Sequence, residues 1–554
     1  MANLSATTLP HNSKEPWPFR GKEVGAVSPQ SSTTATRNAW LVPKAQRRLL
    51  AGLAGAALLL VSACSGTTPA STPSATGEAP KVFTVGTSAS ISTLDPNKAV
   101  DQAQLQILNL IGGTLTVFSK DYSSVEPGLA TSWEASADGL TYTFQIASGL
   151  KFSDGSALTA KDVAATLDWV INDKGSWNAG MVAHWAGAKQ TGDSTVVLTL
   201  DDPQPSVLSL LADPEIGTIM PASKLGDEKF YVKPISAGPY MLKSFDPTNG
   251  NADLVLNPNW TGAVPAVPEI KFVYIQDSNT RGVQLKGGSI DLAENIPPNT
   301  LAQFTGEVEG SVTPAFGGNF LIPNDKKGIL TDSKIRQAVS LAIDRNQISE
   351  VIWAGQAKPL YQFWPNTSKL SHPVLPQAVD VEAAKALLVG TKCESGCELK
   401  FSFQPGQQST EDLAALLTED LAKIGITFTA QRVEGGEMGT LQSDFAFGFI
   451  SSGLYDYVDR ADILLAQGVQ SDGGTNALFS GYSSKEMDAL IAKAISATGD
   501  ERTALMQQIN EQFAKDMPLI PLVDWAFVNA KNTASSQWVT FEPTGWLRVA
   551  TKSW

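Results

Sequence analysis

One apolar run divides this chain and limits everything after it. Residues 49–63, LLAGLAGAALLLVSA, hold Ser62 as their sole polar side chain and end against Cys64. Fifteen helical residues rise about 22 Å, short of a bilayer's hydrocarbon core of about 30 Å. With Lys44, Arg47 and Arg48 just ahead and small residues at its end, the run has the n-region, h-region and cleavage site of a secretory signal. No later stretch is long and apolar enough to span a membrane, so the 491 residues from Cys64 onward are expected to fold in water, outside the cytoplasm. The polar, patternless segment before Lys44 reads as an N-terminal extension and takes no part in the fold reading.

Val61-Ser62-Ala63-Cys64 resembles the lipobox of bacterial lipoproteins, in which the thiol receives a diacylglyceryl group and the leader is cut before the cysteine. The resemblance implies lipid attachment at Cys64, on the extracytoplasmic face of a bacterial cell membrane. An ordinary signal or an uncleaved anchor is the alternative, but an A-x-A-like site has no need of a thiol. Residues 65–80, SGTTPASTPSATGEAP, carry one charge and no aromatic side chain. They cannot bury a core and read as a flexible tether.

The part from Cys64 onward carries 34 basic and 53 acidic side chains, a net of −19. That balance argues against nucleic acid as a partner. The two remaining cysteines, Cys393 and Cys397, are a candidate disulfide in an oxidising compartment, with free thiols as the alternative. A metal site lacks its other ligands nearby. No G-x-S-x-G elbow, H-E-x-x-H, P-loop or Rossmann glycine pattern occurs, so a secreted hydrolase is the weaker class. A surface chaperone or adhesin is a third.

Periodicity mixes strands and helices. Val82 to Gly86 reads as a strand and Ala99 to Ile111 as a helix. SWEASADGLTYTFQI is a hairpin turning at Asp138-Gly139, with Tyr142 and Phe144 on one face. A capping box at Thr159 and Asp162 opens a helix with Val163, Leu167, Val170 and Ile171 as its stripe, and Thr195 to Leu200 is a strand. Asp332 caps a helix burying Ile335, Ala338, Val339, Ala342 and Ile343. Ser409-x-x-Asp412 opens another that Gly425 ends, with a strand from Ile426 to Ala430, and Ser483-x-x-Glu486 opens a third. This alternation predicts an α/β lobe with a mostly parallel sheet.

Six stretches in this order, VEPGLATSWEASADGLTYTFQI, GLKFSDGSALTAKDV, ISAGPYMLKSF, LKGGSIDLAENIP, IRQAVSLAIDRNQI and NALFSGYSSKEMDALIAKA, together resemble the solute-binding family 5 of ABC importers, which handles oligopeptides, dipeptides and nickel. The resemblance runs from about Val82 to about Leu547. It implies a bilobal α/β periplasmic-binding-protein-like fold that catalyses nothing and needs no cofactor. After the signal segment (1–63) and tether (64–80), the first lobe would take residues 81–114, 235–324 and 518–554. A subdomain, 115–234, would be inserted in it, and the second lobe would take 325–517. The lobes would close over ligand at hinges near 319–327 and 516–523. The partners implied are a peptide or other small solute, ABC permease subunits with cytoplasmic ATPases, and the membrane through the lipid anchor. Arg336, Asp344 and Arg345 read as helix-end residues.

In peptide-binding members an aspartate in a segment like A-D-Y-P-D-P receives the ligand's amino group. The matching segment here is Tyr455-Asp456-Tyr457-Val458-Asp459-Arg460, with Asp456 at the first aspartate. Both prolines are missing, Arg460 stands in place of the second, and Gly453 stands where some members have Trp. After the first long helix, Gly112 and Gly113 replace an acidic residue. The ligand-binding set expected from this comparison is Asp456, Tyr457, Tyr455, Gly453, Gly112 and Gly113. Trp177, Trp185, Trp353 and Trp364 are candidates for either the cleft or the core. With His184 and His372 the only histidines after Cys64, a metal complex is the less favoured cargo.

Overall fold

The structure, a computed structural model, describes residues 78–99, 101–173, 176–403, 408–432, 445–446, 460–471 and 480–552. Cys64 and residues 453–459, with Gly453, Tyr455, Asp456 and Tyr457, lie outside the described residues. The described part belongs to one compact unit, and none of its helices is long and apolar enough to cross a membrane.

Among the described residues, ten strands form one sheet. Their order is Ile426–Arg432, Cys397–Phe403, Phe445–Ala446, Val308–Pro323, Ile520–Asn532, Leu292–Ala293, Val82–Thr87, Glu269–Tyr274, Asn251–Leu256 and Tyr240–Asp246. Val82–Thr87 runs parallel to both neighbours and buries Phe83 and Val85. Cys397–Phe403 is likewise parallel to both of its own. The centre differs from the mostly parallel sheet expected. Val308–Pro323 and Ile520–Asn532 form a long antiparallel ribbon, with register from Val308↔Asn532 to Leu321↔Ile520. The chain leaves the first half of the sheet along one strand and returns along the other, and that forces opposite directions. The ribbon bulges between Pro314 and Gly318 and again at Asn319 and Phe320, where one strand twists away from its partner.

A separate four-stranded sheet has the order Ala130–Ala135, Thr141–Ile146, Thr195–Leu200, Trp185–Gln190. The expected hairpin is present, with Gly139 in the left-handed region at φ 70°. Tyr142 and Phe144 are buried on one face, their rings stacked 6.4 Å apart. The helix Ala160–Asn172 covers this face through Val163, Leu167, Val170 and Ile171. Its start is fixed by Asp162, whose carboxylate accepts the Thr159 N–H at 2.9 Å.

Most helix ends follow their expected caps. Asp332 accepts from Lys334 N–H, and Asp344 from the N–H groups of Asn346 and Gln347. Three boundaries differ. The first helix runs Gln102–Ile111, three residues later than expected at its start, because Gln104 accepts the Asp101 N–H there. The helix Gln408–Ala422 begins ahead of Ser409. Ser484, not Ser483, caps Lys485–Ser496: its backbone is extended and its side chain accepts from Met487 N–H, so the cap lies one residue beyond the one that the Ser483-x-x-Glu486 pattern marks.

Cys393 and Cys397 are joined by a disulfide with a Cα–Cα distance of 4.9 Å, beside the start of the strand Cys397–Phe403. Trp185 and Trp364 are core residues, and Trp353 packs half-buried against a third core. The side chain of Trp177 lies outside the described residues.

Where the ribbon meets the second half, the buried Arg336 holds both strands' continuations. Its guanidinium pairs with Asp325, beyond one strand, and donates to the carbonyls of Asp516 and Met517, just before the other. Burial raises the Asp325 carboxyl to about 6 despite its partner and lowers the Arg336 guanidinium, so desolvation outweighs the pair's attraction. Arg336→Met is therefore expected to destabilise the protein by about 3–5 kcal/mol at pH 8, where it strands a buried carboxylate. At pH 5 Asp325 is neutral, and the loss is expected to be smaller. Denaturant melts at the two pH values check this.

Glu294 gives a second expectation. It is buried, and burial lifts its carboxyl from the usual 4.5 to about 7. The folded chain then holds a proton between about 4.5 and 7 that the unfolded chain has released. Stability falls as pH rises through that window and levels off above it. Glu294→Gln is expected to flatten this part of the thermal-stability profile, on the order of 3 kcal/mol across the window. An unchanged profile in calorimetry would refute the assignment.

Candidate functional site

In α/β sheets, ligands bind beyond the carboxyl ends of parallel strands. Here Val82–Thr87 and Leu292–Ala293 end side by side, and polar groups gather there. Gln106 Nε2 donates to Glu294 Oε1 at 2.7 Å and to the Gly545 carbonyl at 2.8 Å. Asn295, at φ 49°, donates from Nδ2 to Ser88 Oγ, and its N–H reaches Asn529 Oδ1 at 3.1 Å. Arg281 fixes this turn by donating to the carbonyls of Ile275, Gln276, Glu294 and Asn295. Gln106 Oε1 and Asn529 Nδ2 are buried without a protein partner, leaving one acceptor and one donor unmet.

The ribbon bulge lies beside an aromatic patch. Phe316, within the bulge, meets Tyr122 at 5.5 Å. Tyr122 sits 5.7 Å from Phe118, which meets Trp546 at 5.8 Å. Tyr122 Oη shares a hydrogen bond of 3.2 Å with Thr544, and Arg548 stacks over its ring at 5.6 Å. Trp525, half-buried opposite the bulge, meets Phe527 at 5.7 Å. Tyr122 and Trp546 are buried, while Phe118, Phe316 and Trp525 stay partly exposed, and partly exposed rings on such a base suit holding a solute. Next to it, Asp524 accepts from the Asn366 N–H and Nδ2, both at 3.0 Å, and burial raises its carboxyl to about 6. Among the described residues, no group of three or more His, Cys, Asp or Glu side chains is arranged to hold a metal.

Gly112 and Gly113 close the first long helix against two neighbouring segments. A Cβ on Gly112 would sit 2.6 Å from the Leu108 carbonyl oxygen and from Thr218 Oγ1, and one on Gly113 2.9 Å from Ala237 Cβ. Gly113 O accepts from Ile219 N–H, and Ile111 O from Gly238 N–H. Close packing of main chain on main chain accounts for both glycines.

Of the expected ligand set, the structure thus places Gly112 and Gly113 together, while the other four lie outside the described residues. Directly after those four, Arg460 opens the helix Ala461–Gly468 and makes a buried ion pair of 2.7 Å with Asp213. In the sequence, Arg460 stands out only as a departure from the family pattern. Its partner lies 247 residues away, a separation no local pattern reveals. Tyr122, Phe316, Trp525 and Trp546 likewise leave no mark in the sequence, because scattered aromatics carry no spacing signal.

Residues 124–476 match the family "Bacterial extracellular solute-binding proteins, family 5 Middle". The glutathione-binding protein GsiB of Escherichia coli (strain K12) is 25% identical over 466 residues, spanning 82% of this chain and 90% of GsiB. Among solved structures, NikA from Brucella suis in complex with Fe(III)-EDTA aligns with a TM-score of 0.74 at 22% identity, over 85% of this chain and 100% of NikA. DppA from Helicobacter pylori in complex with the peptide STSA aligns with a TM-score of 0.72 at 22% identity, over 84% and 97%. These likenesses establish the bilobal α/β periplasmic-binding fold. With the family match across most of the described core, this chain belongs to the bacterial extracellular solute-binding proteins of family 5, the extracytoplasmic binding components of ABC importers.

Proposed function

We propose that the protein is a lipid-anchored receptor that captures peptides, closes over them and delivers them to a membrane permease. Closing uses the ribbon as hinge: residues 81–114, 235–324 and 518–554 form one lobe, with 115–234 inserted, and 325–517 form the other. The observation that carries the peptide reading is the segment Tyr455-Asp456-Tyr457-Val458-Asp459-Arg460, in the position of the family's amine-binding loop. Asp456 receives the ligand's ammonium, with Tyr455, Tyr457 and Gly453 beside it and Gly112 and Gly113 shaping the facing wall. A carboxylate suits an ammonium where closure excludes water, since the pair strengthens as the local dielectric falls. The likeness to GsiB is consistent with a small peptide, as glutathione is itself a tripeptide with a free ammonium.

A non-peptide solute such as a sugar conjugate, siderophore or metal complex is the second reading. It is favoured by the loss of both prolines from the loop and by Gly112-Gly113 in place of an acid.

Calorimetry separates the two. Trialanine and glutathione, each with a free amino group, are expected to bind, and N-acetylated trialanine poorly. Asp456→Asn strands the ligand's charge at a cost of about 3–5 kcal/mol. It is therefore expected to weaken trialanine by about two decades or more and to leave the acetylated peptide unchanged. Equal affinity for free and acetylated peptide, or no binding of either, would remove the role of Asp456 and favour the second reading.

The anchor rests on Val61-Ser62-Ala63-Cys64. Labelled palmitate is expected to enter the wild-type protein in bacterial cells and not Cys64→Ala, which is released from the membrane or left uncut. Wild-type protein that takes up no label would overturn the lipid attachment.

A further inference from the structure

The ribbon Val308–Pro323 with Ile520–Asn532 runs through separate cores. At one end Val308 and Ala530 are buried with Ile275, Leu285 and Ile296 of the first lobe. There Ile296 N–H donates to the Val528 carbonyl at 2.8 Å, and the Phe527 ring meets Phe541 at 5.1 Å. At the other end Leu321, Ile520, Leu522 and Val523 are buried with Leu399 and Leu417 of the second lobe. Phe320, Ile322 and Leu519 are buried there too, with Trp364 and Phe513. Core membership therefore divides both strands part-way along.

The register breaks where the cores part. Pro314 faces Ala526 and Gly318 faces Asp524, so Ala315, Phe316 and Gly317 stand against Trp525 alone. Pro314 brings no N–H to the ladder. The second irregularity, between Asn319 and Phe320, leaves Leu522 as its extra residue, but this one is splinted. Residues 358–360 lie along it: Asp524 N–H donates to the Lys358 carbonyl at 2.8 Å, Leu360 N–H to the Leu522 carbonyl at 3.0 Å, and Pro359 bridges Val523. Asn366 braces the same place, its N–H and Nδ2 each donating to the Asp524 carboxylate at 3.0 Å, and Nδ2 also to the Pro359 carbonyl. Leu360 and Trp364 anchor this splint in the second-lobe core. Further out, Arg336 ties Asp325 to the carbonyls of Asp516 and Met517. The three-residue bulge, in contrast, touches both lobes. The Phe316 ring meets Tyr122 on the first at 5.5 Å, and Thr367 Oγ1 on the second donates to the Ala315 carbonyl at 3.2 Å.

We propose that the bulge at 315–317, with Trp525 opposite, is the pivot of closure, and that Asp524 and Asn366 are the positioning residues that confine bending to it. Residues 318–324 and 518–524 then travel with the second lobe. The working boundary lies inside the ribbon, in place of the 319–327 and 516–523 expected from the sequence. A bulge leaves its extra residues out of the ladder, so bending there breaks fewer backbone bonds than bending a paired stretch. Phe316 and Trp525, two of the partly exposed rings of the candidate surface, sit on the pivot itself, so closure resets their faces. The pivot rests on the closing motion proposed above.

Spin-label distances on the full chain, with no solute added, test this. Val283 on the first lobe and Val389 on the second are exposed. Val283→Cys and Val389→Cys carry the labels in a Cys64→Ala background, since Cys393 and Cys397 are joined to each other. Deleting Phe316 and Gly317 sets Ala315 against Trp525 and, being a two-residue change, keeps later side chains on their faces. The deletion is expected to narrow the distribution of distances between the lobes at least twofold. Asn366→Ala removes the bonds to Asp524 and is expected to widen it at least twofold. A control pair, Val351→Cys with Val389→Cys, lies wholly on the second lobe and is expected to keep its width in every variant. An unchanged width between the lobes in the deletion variant overturns the pivot. The same result in Asn366→Ala overturns it too, and this variant keeps the test available should the deletion fail to fold. Widening of the control pair in Asn366→Ala is loosening of the second lobe itself and overturns the brace. Since no solute enters, failure here leaves peptide capture standing, and failure of trialanine to bind leaves this result untouched.

Discussion

The ribbon Val308–Pro323 with Ile520–Asn532 joins the two halves of the ten-stranded sheet, and Arg336 holds its two continuations together. One guanidinium reaches Asp325 on the outgoing side and the Asp516 and Met517 carbonyls on the incoming side. The site is reinforced by Tyr482, whose hydroxyl donates to Asp516 Oδ2 at 2.6 Å, and by Gln512 at 3.0 Å. Hydrophobic packing alone does not fix this register, because apolar contact is non-directional. The planar fork of arginine supplies the direction.

The same device recurs. Arg345, fully enclosed, donates to the Pro521 and Ser340 carbonyls and to Ser340 Oγ, and burial lowers its guanidinium to about 10. Arg281 holds the turn at Asn295 through four carbonyls. In each case a buried cation is satisfied mainly by main-chain carbonyls, most of them at the ends of helices or strands, where the regular hydrogen bonding no longer uses them. The interior acids follow a different course: Glu294, Asp325 and Asp524 are all raised, with burial the first cause. Only Asp325 of these has a cation beside it, Arg336; Glu294 and Asp524 are met by the amides of Gln106 and Asn366.

Elements governed by neighbours in sequence were legible. The capping box at Thr159 and Asp162, the caps Asp332 and Asp344, and the Asp138-Gly139 turn all act within four residues, so pattern suffices to place them. At 483 and 484 the S-x-x-E pattern fits Ser483, yet the cap falls on Ser484, whose backbone is extended and whose side chain accepts from Met487 N–H. The antiparallel centre of the sheet was not legible. Its two strands are some 200 residues apart, and each reads locally like a strand of either sense. Gly112 and Gly113 illustrate a further limit. A missing acid and a tight main-chain crossing leave the same letters in the sequence, and only the approach of Thr218 and Ala237 shows the packing.

The segment at Arg460 shows how a departure from a family pattern can carry information. In the related loops a proline stiffens this position by fixing φ. Arginine has no such backbone effect, so whatever order it brings must come through its side chain. That side chain is committed to Asp213, on a segment packed against a different sheet. The start of the helix is thereby made to depend on a tertiary contact, where a proline would have made it local. A local stiffener is insensitive to the relation between the two cores, whereas an ion pair between them exists only when they meet. Replacing the proline with arginine therefore ties the order at the start of this helix to the contact between the two cores.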